Sequence, residues 1–174
     1  NAPGASADSA LAEGSQTDLF DGRLTVRALK VVVDGALGSR GAQLTDSYSD
    51  APGERGLVLL SDSLLDDVLG RAAERGFQVA VHAIGDRAVS RVLDAFGRVD
   101  SAARAQRFRI EHVSVIRPAD IERFARHGVV ASIQPVFVGE YRRWAADRLG
   151  PNRVRWAVPT RHFLEAGVVV AAGT

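Results

Sequence analysis

The sequence predicts an α/β fold made of parallel strands and helical crossovers, part of a (β/α)8 barrel, and three observations carry that expectation. The phrases Arg75-Gly76-Phe77-Gln78-Val79-Ala80-Val81, His127-Gly128-Val129-Val130-Ala131-Ser132-Ile133 and Ala166-Gly167-Val168-Val169-Val170-Ala171-Ala172 share one pattern. In each, a glycine that ends a helix feeds an apolar strand. From Ser61 onward, helical and strand periodicities alternate at intervals that suit βαβ units rather than hairpins. Five strands joined this way make either an open doubly wound sheet or part of a barrel. The third observation selects the barrel. Lys30, His82, His112 and Gln134 all fall at strand C-terminal ends, where a barrel collects catalytic groups onto one mouth.

In chain order, Asn1 to about Gln16 is small and polar, and residues 1–20 are expected to form a loop or disordered leader. A strand follows from about Leu24 to Val33, with Ala28, Lys30, Val32 and Asp34 on one face and Leu29, Val31 and Val33 on the other. Gly35, Gly38 and Gly41 then break it, and Arg40 in this loop can fork onto a carboxylate or carbonyl of a substrate. Ser61 or Ser63 caps a helix carrying Leu64, Leu65, Val68, Leu69 and Ala72, and Gly76 ends it. The strand Phe77 to Ala83 presents His82, Asp86 caps a helix to about Val99, and Phe108 to Val113 presents His112. Pro118 opens a helix to His127, Val129 to Gln134 is a strand, one or two helices span Tyr141 to Glu165, and Val168 to Thr174 is the last strand.

The 174 residues suit one domain, with 46% hydrophobic residues and a net charge of +1. That balance supplies neither the basic stripe that nucleic acid needs nor the apolar run of a membrane span. With no cysteine in the chain, a metal site would use imidazole and oxygen ligands. The cytoplasm is the favoured compartment, and no signal peptide is visible. The chain starts at Asn1 and has no methionine, so a natural N-terminus is expected to lie upstream.

Lys30 is the only lysine, and its place inside an apolar strand implies that it is buried. A guanidinium does not lose its proton in a protein, whereas a desolvated amine does, and then becomes a nucleophile, a Schiff-base former or a carbamate. Two histidines on neighbouring parallel strands, His82 and His112, each expected at the last inward position, lie close enough to bind one metal ion. A carbamylated Lys30 would supply an oxygen ligand beside them. Alternation turns Glu111 away from His112, towards a salt bridge with Arg109 or a helix. His127 and His162 sit in helices or at helix ends, and Asp34 shares the face of Lys30. Tyr141 and Trp144 would either wall a substrate pocket or pack in the core.

The runs Lys30-Val31-Val32-Val33-Asp34-Gly35-Ala36-Leu37-Gly38-Ser39-Arg40-Gly41-Ala42, Val81-His82-Ala83-Ile84-Gly85-Asp86-Arg87-Ala88 and Arg109-Ile110-Glu111-His112 resemble the amidohydrolase superfamily. The likeness is to its family 3 branch, which includes N-substituted formamide deformylases, and it covers about residues 21–174. It implies that this stretch is a partial (β/α)8 barrel domain holding strands four to eight. It also implies metal ligation by Lys30, as a CO2-derived carbamate, and by His82 and His112, with one or two divalent ions, zinc first among them. The implied chemistry is hydrolysis of a small amide-like substrate at a carbon–nitrogen bond by a metal-activated water. From their own places in the chain, Arg40, Gln134 and Tyr141 are expected at the substrate. The family's His-x-His pair on strand one and its aspartate after strand eight are absent from these residues. The chain is therefore expected to be one segment of a longer enzyme, inactive alone, that needs the remainder of the barrel or a homo-oligomer as partner. The competing expectations are a non-catalytic barrel fragment used for binding or assembly, and Schiff-base chemistry at Lys30, which leaves the histidines unexplained.

Overall fold

The expected leader is the first departure from the sequence reading. The computed structural model describes residues 5–173, and in it Ala5–Glu13 is a helix, α1, with Leu11 buried in the core. The alanine content of the segment, alanine being the strongest helix former, outweighs the small polar residues that read as loop. Asn1 to Gly4, where the leader was expected to begin, and Thr174, the end of the last expected strand, lie outside the described residues. Next come β1 (Gln16–Asp18), a short turn α2 (Leu19–Gly22) and β2 (Leu24–Val26), which pairs antiparallel with β1. The strand expected from Leu24 to Val33 is thus split at Arg27, and only β3 (Ala28–Val32) joins the main sheet.

That sheet is parallel throughout and keeps chain order: β3, β4 (Gln78–Ala83), β5 (Arg109–His112), β6 (Val130–Ile133) and β7 (Val170–Ala172). The crossovers are α3 (Asp62–Glu74), then α4 (Asp86–Arg98) with the short α5 (Asp100–Ala105), then α6 (Pro118–His127). The last crossover contains α7 (Phe137–Tyr141), α8 (Ala145–Arg153) and α9 (Thr160–Glu165). The Ser61 hydroxyl caps α3 by accepting the Leu64 N–H. Gly76, Gly128 and Gly167, the three glycines of the shared phrase, all take left-handed φ values, of 73°, 62° and 70°. This conformation turns each helix end into its strand, and a side chain there would be strained.

Alternation then sorts the strands' side chains. Leu29, Val31, Val79, Val81, Ile110 and Ala131 pack against the helices in one core with Phe96, Phe108 and Phe124. The opposite face carries two cross-strand rows, Lys30, Ala80, Arg109 and Val130, then Val32, His82, Glu111 and Ser132. This second face corresponds to the inside of a barrel. Among the described residues no helix is long and apolar enough to cross a membrane.

Candidate metal centre

His82 sits on the inner face by strand alternation, opposite Glu111 in register. His112 cannot arrive the same way, because it follows Glu111, and a straight strand would send its ring to the helix side. The backbone solves this: His112 has φ 78° and Val113 φ 44°, both left-handed. For residues with a Cβ that conformation costs about 1–3 kcal/mol. The result is an edge-on pair of imidazoles with ring centroids 4.6 Å apart. The expectation that both histidines occupy inward strand positions is corrected here, since Glu111 holds the inward position and His112 reaches the site through a backbone twist. The expected partner of Glu111 is present: its Oε1 lies 2.5 Å from Arg109 Nε. Neither atom makes an aligned hydrogen bond, so the attraction is that of two charges in contact.

Lys30 lies on the same face, one row below His82. It is exposed in this open half-barrel, contrary to the buried lysine implied by its apolar strand, because the face it occupies is uncovered. Its pKa is nevertheless lowered, by partial desolvation first and by Arg109, with Glu111 opposing. Its positive charge in turn disfavours protonation of both histidines. His82 is pushed down to about 4, chiefly by burial and then by His112 and Lys30. His112 is also lowered, by burial first, although its bond to Gln134 opposes the shift. At neutral pH both imidazoles are therefore in the uncharged, ligating form.

Each ring has one nitrogen turned towards the protein. His112 Nδ1 and Gln134 Oε1 share a hydrogen bond of 2.7 Å. His82 Nε2 is buried without a hydrogen-bond partner and lies 3.5 Å from Asp34 Oδ1. Asp34 is fully buried, and its carboxylate accepts the N–H groups of Gln43 (2.9 Å), Ile84 (3.0 Å) and Gly85 (2.8 Å). It thereby ties the end of β3 to the turn after His82 and to the glycine-rich loop. Burial raises its pKa to about 6 against those three bonds. Gly85 permits this closeness, since a Cβ there would meet Gln43 O at 2.0 Å.

The remaining sequence-predicted residues are placed as follows. Gln134, expected at the substrate, is hydrogen-bonded to His112. Arg40, also expected there, has its fork occupied: Nε and Nη2 donate to Asp50 at 3.1 and 2.9 Å, and Arg148 reaches the same carboxylate. Tyr141 packs on Trp144, with ring centroids 4.8 Å apart, and its hydroxyl shares a 2.8 Å hydrogen bond with Ser114. Burial raises the pKa of that phenol. Trp144 in turn covers Gly38. Asp86 is not the helix cap, a position taken by Gly85; its carboxylate receives the N–H groups of Thr45 and Arg87. His127 pairs with Asp100, and His162 packs on Trp156, both away from the strand tips. Ser114 was not singled out from the sequence, although it lies two residues beyond His112 on a strand tip, and that position was a usable signal.

Among the described residues no group of three or more His, Cys, Asp or Glu is placed to hold a metal ion. The groups on this face with ligating chemistry are the two neutral imidazoles and Lys30, whose lowered pKa favours the free amine that carbamate formation requires.

Parallel strands, helical crossovers and a polar cluster at the strand C-terminal ends define the chain as a segment of a (β/α)8 barrel. Its particular kinship follows from comparison: the amidohydrolase family model matches residues 5–174, and the chain belongs to that family. YtcJ of Bacillus subtilis is 36% identical over 147 residues, which are 84% of this chain and 28% of that protein. LONG AFTER FAR-RED 3 of Arabidopsis thaliana is 34% identical over 154 residues, 87% of this chain and 26% of that protein. The crystal structure of an uncharacterized metal-dependent hydrolase from Pyrococcus furiosus superposes with a TM-score of 0.83 at 35% identity. The match covers 97% of this chain and 34% of that one. The chain thus spans about a quarter to a third of the length of these relatives.

Proposed function

We propose that the chain supplies one side of the active site of a metal-dependent hydrolase that cleaves the carbon–nitrogen bond of small amide-like substrates. One observation carries the reading: His112 leaves its strand with φ 78° and brings its ring to 4.6 Å from that of His82, on the face that carries the only lysine. A strained backbone that unites two neutral imidazoles has little reason to persist without a ligand between or beside them. The family membership and the metal-dependent hydrolase from Pyrococcus furiosus support the same assignment.

In this reading His82 and His112 hold a divalent ion, zinc being the favoured one, and Lys30 joins them as a carbamate that a second ion would clamp. An ion held there would polarise the substrate carbonyl and acidify a water molecule. The chain's own residues orient these groups. Asp34 fixes the turn behind His82, Gln134 holds His112, and Tyr141 with Trp144 forms an aromatic wall beside the strand tips. The finer assignment is a formamide deformylase-like activity in the cytoplasm. Three ligands without a neighbouring His-x-His pair or a basic aspartate make an incomplete centre. The 174-residue chain is accordingly read as weakly metal-bound and inactive until the remainder of the barrel covers the inner face.

The test is Lys30→Arg in a protein that carries the whole barrel. Arginine keeps the charge but cannot form a carbamate, so metal content by elemental analysis and turnover of N-formyl substrates should both collapse. Undiminished metal stoichiometry and activity would return Lys30 to a structural role.

A further inference from the structure

We propose that Gln134 is a positioning residue whose amide oxygen fixes His112 as the Nδ1–H tautomer, leaving Nε2 with its lone pair as the nitrogen free for a ligand. The orientation itself rests on geometry alone; its purpose rests on the metal-site reading above.

A neutral imidazole has one donor and one acceptor nitrogen, and whichever hydrogen bond is made at one of them determines the other. Gln134 Oε1 and His112 Nδ1 are 2.7 Å apart, a short bond for a neutral pair. An amide oxygen only accepts, so the proton is on Nδ1.

Gln134 is also built to hold still. It follows the last residue of β6 and precedes Pro135, which restricts its backbone to extended conformations. The carbonyl of Ile133 on one side accepts the Gly173 N–H at 2.9 Å, and its own carbonyl accepts the Phe137 N–H at 3.1 Å. Its side chain therefore starts from a pinned backbone and meets an imidazole whose backbone is itself locked in a left-handed conformation. Aspartate or glutamate is the commoner charged partner of a ligating histidine. A glutamine sets the tautomer without adding a negative charge, which keeps the ring a weaker base and leaves an ion bound to it more electron-poor.

The experiment reads the tautomer directly, by long-range 1H–15N NMR correlation near neutral pH on a metal-free protein that carries the whole barrel and is 15N-labelled at histidine, followed by zinc titration. Wild type should show His112 as Nδ1–H. Gln134→Glu, which keeps an acceptor, should preserve that tautomer. Gln134→Met, of similar shape but without the amide, should give a mixture of the two. A merely structural glutamine would leave the tautomer unmoved. An Nε2–H signal in wild type, a measurement that depends on no variant, overturns the proposal, and so does an unmixed Nδ1–H signal in Gln134→Met. Zinc affinity should fall about tenfold or more in Gln134→Met. An affinity unchanged there, with the tautomer mixed, overturns the claim that the orientation serves an ion. Absence of zinc binding in every form, wild type included, overturns the metal-site reading and leaves the tautomer assignment standing.

Discussion

The two faces of the same five strands obey different rules. On the helix-covered face, Leu29, Val31, Val79, Val81 and Ile110 fill a continuous apolar core. On the other, Lys30, Arg109, Glu111 and His82 sit in register with Ala80, Ser132, Val32 and Val130, and Lys30 is open to solvent. Stability comes from the first face through burial, at about 1.5–3 kcal/mol for each large aliphatic or aromatic side chain. Chemistry is gathered on the second, where charge and strain replace packing. A sheet that separates the two tasks by face can change one with little effect on the other.

The sharpest test of that separation is a pair of substitutions. Phe108 is fully buried beside Phe96, with ring centroids 5.2 Å apart. Phe108→Ala should lower unfolding stability by about 3–5 kcal/mol. Lys30→Met, on the open face, should stay within about 0.5 kcal/mol of wild type. Urea denaturation followed by circular dichroism measures both, and equal losses would end the division by face.

The division also explains what the sequence disclosed. Helix and strand order, the three glycine turns and the inward and outward sets on β3 follow from periodicity, because burial on the helix side enforces alternation. The leader did not, since Leu11 is the one large apolar residue of Ala5–Glu13 and a single residue shows no stripe; its helix is anchored through that leucine. On the polar face, residue types were legible but partners were not. His112 was found by its position at the strand end, yet its route to the site depends on a left-handed backbone that no periodicity encodes. Gln134 and Arg40 were legible as polar tips. That one binds His112 and the other Asp50 depends on where separate loops converge.

The next effect sharpens the contrast within the polar face itself. His82 and Asp34, 3.5 Å apart, are both desolvated, and their pH dependences oppose each other. Folding lowers His82 from 6.5 to about 4, so its contribution is complete above pH 6.5 and is lost as pH falls through 4. Folding raises Asp34 from 3.8 to about 6, so its contribution is complete below pH 3.8 and is lost as pH rises through 6. Each amounts to about 3 kcal/mol in the metal-free protein, and the two windows overlap. Between about pH 4 and 6 the pair should nearly cancel. His82→Gln should unmask the aspartate, so that stability falls as pH rises across that interval. Denaturant midpoints at several pH values decide the matter, and a His82→Gln profile parallel to wild type would mean that the two groups do not carry these shifts.

Gly85 links the two faces at the tip of β4, where the chain turns from His82 into the packed helix α4. Its amide reaches Asp34, and a Cβ would lie 2.0 Å from Gln43 O. Gly85→Ala must push the loop away, at about 1–3 kcal/mol, and the displaced loop should loosen the turn behind His82. Gly139→Ala is the control for glycine loss in general: it has open space around it and no positive φ to strain an alanine. If the Gly85 variant costs no more than the control, the close approach is not what selects glycine.

The smallest effect is expected at Arg40, where the polar loop meets α8. Its guanidinium forks onto Asp50, and Arg148 holds the same carboxylate from the other side. Arg148 also donates to Gly38 O at 3.2 Å, while Arg153 binds the carbonyls of Asp46 and Ser47. The loop is thus held by three arginines, and removing one leaves two. An exposed ion pair contributes little in solvent, so Arg40→Ala should leave the denaturation midpoint nearly unchanged. Because Asp50 occupies its fork, the substitution should also leave the KM of a whole-barrel protein close to wild type. A KM raised tenfold with kcat unchanged would show that Arg40 releases Asp50 to bind substrate, and would place the loop with the catalytic face rather than with the scaffold.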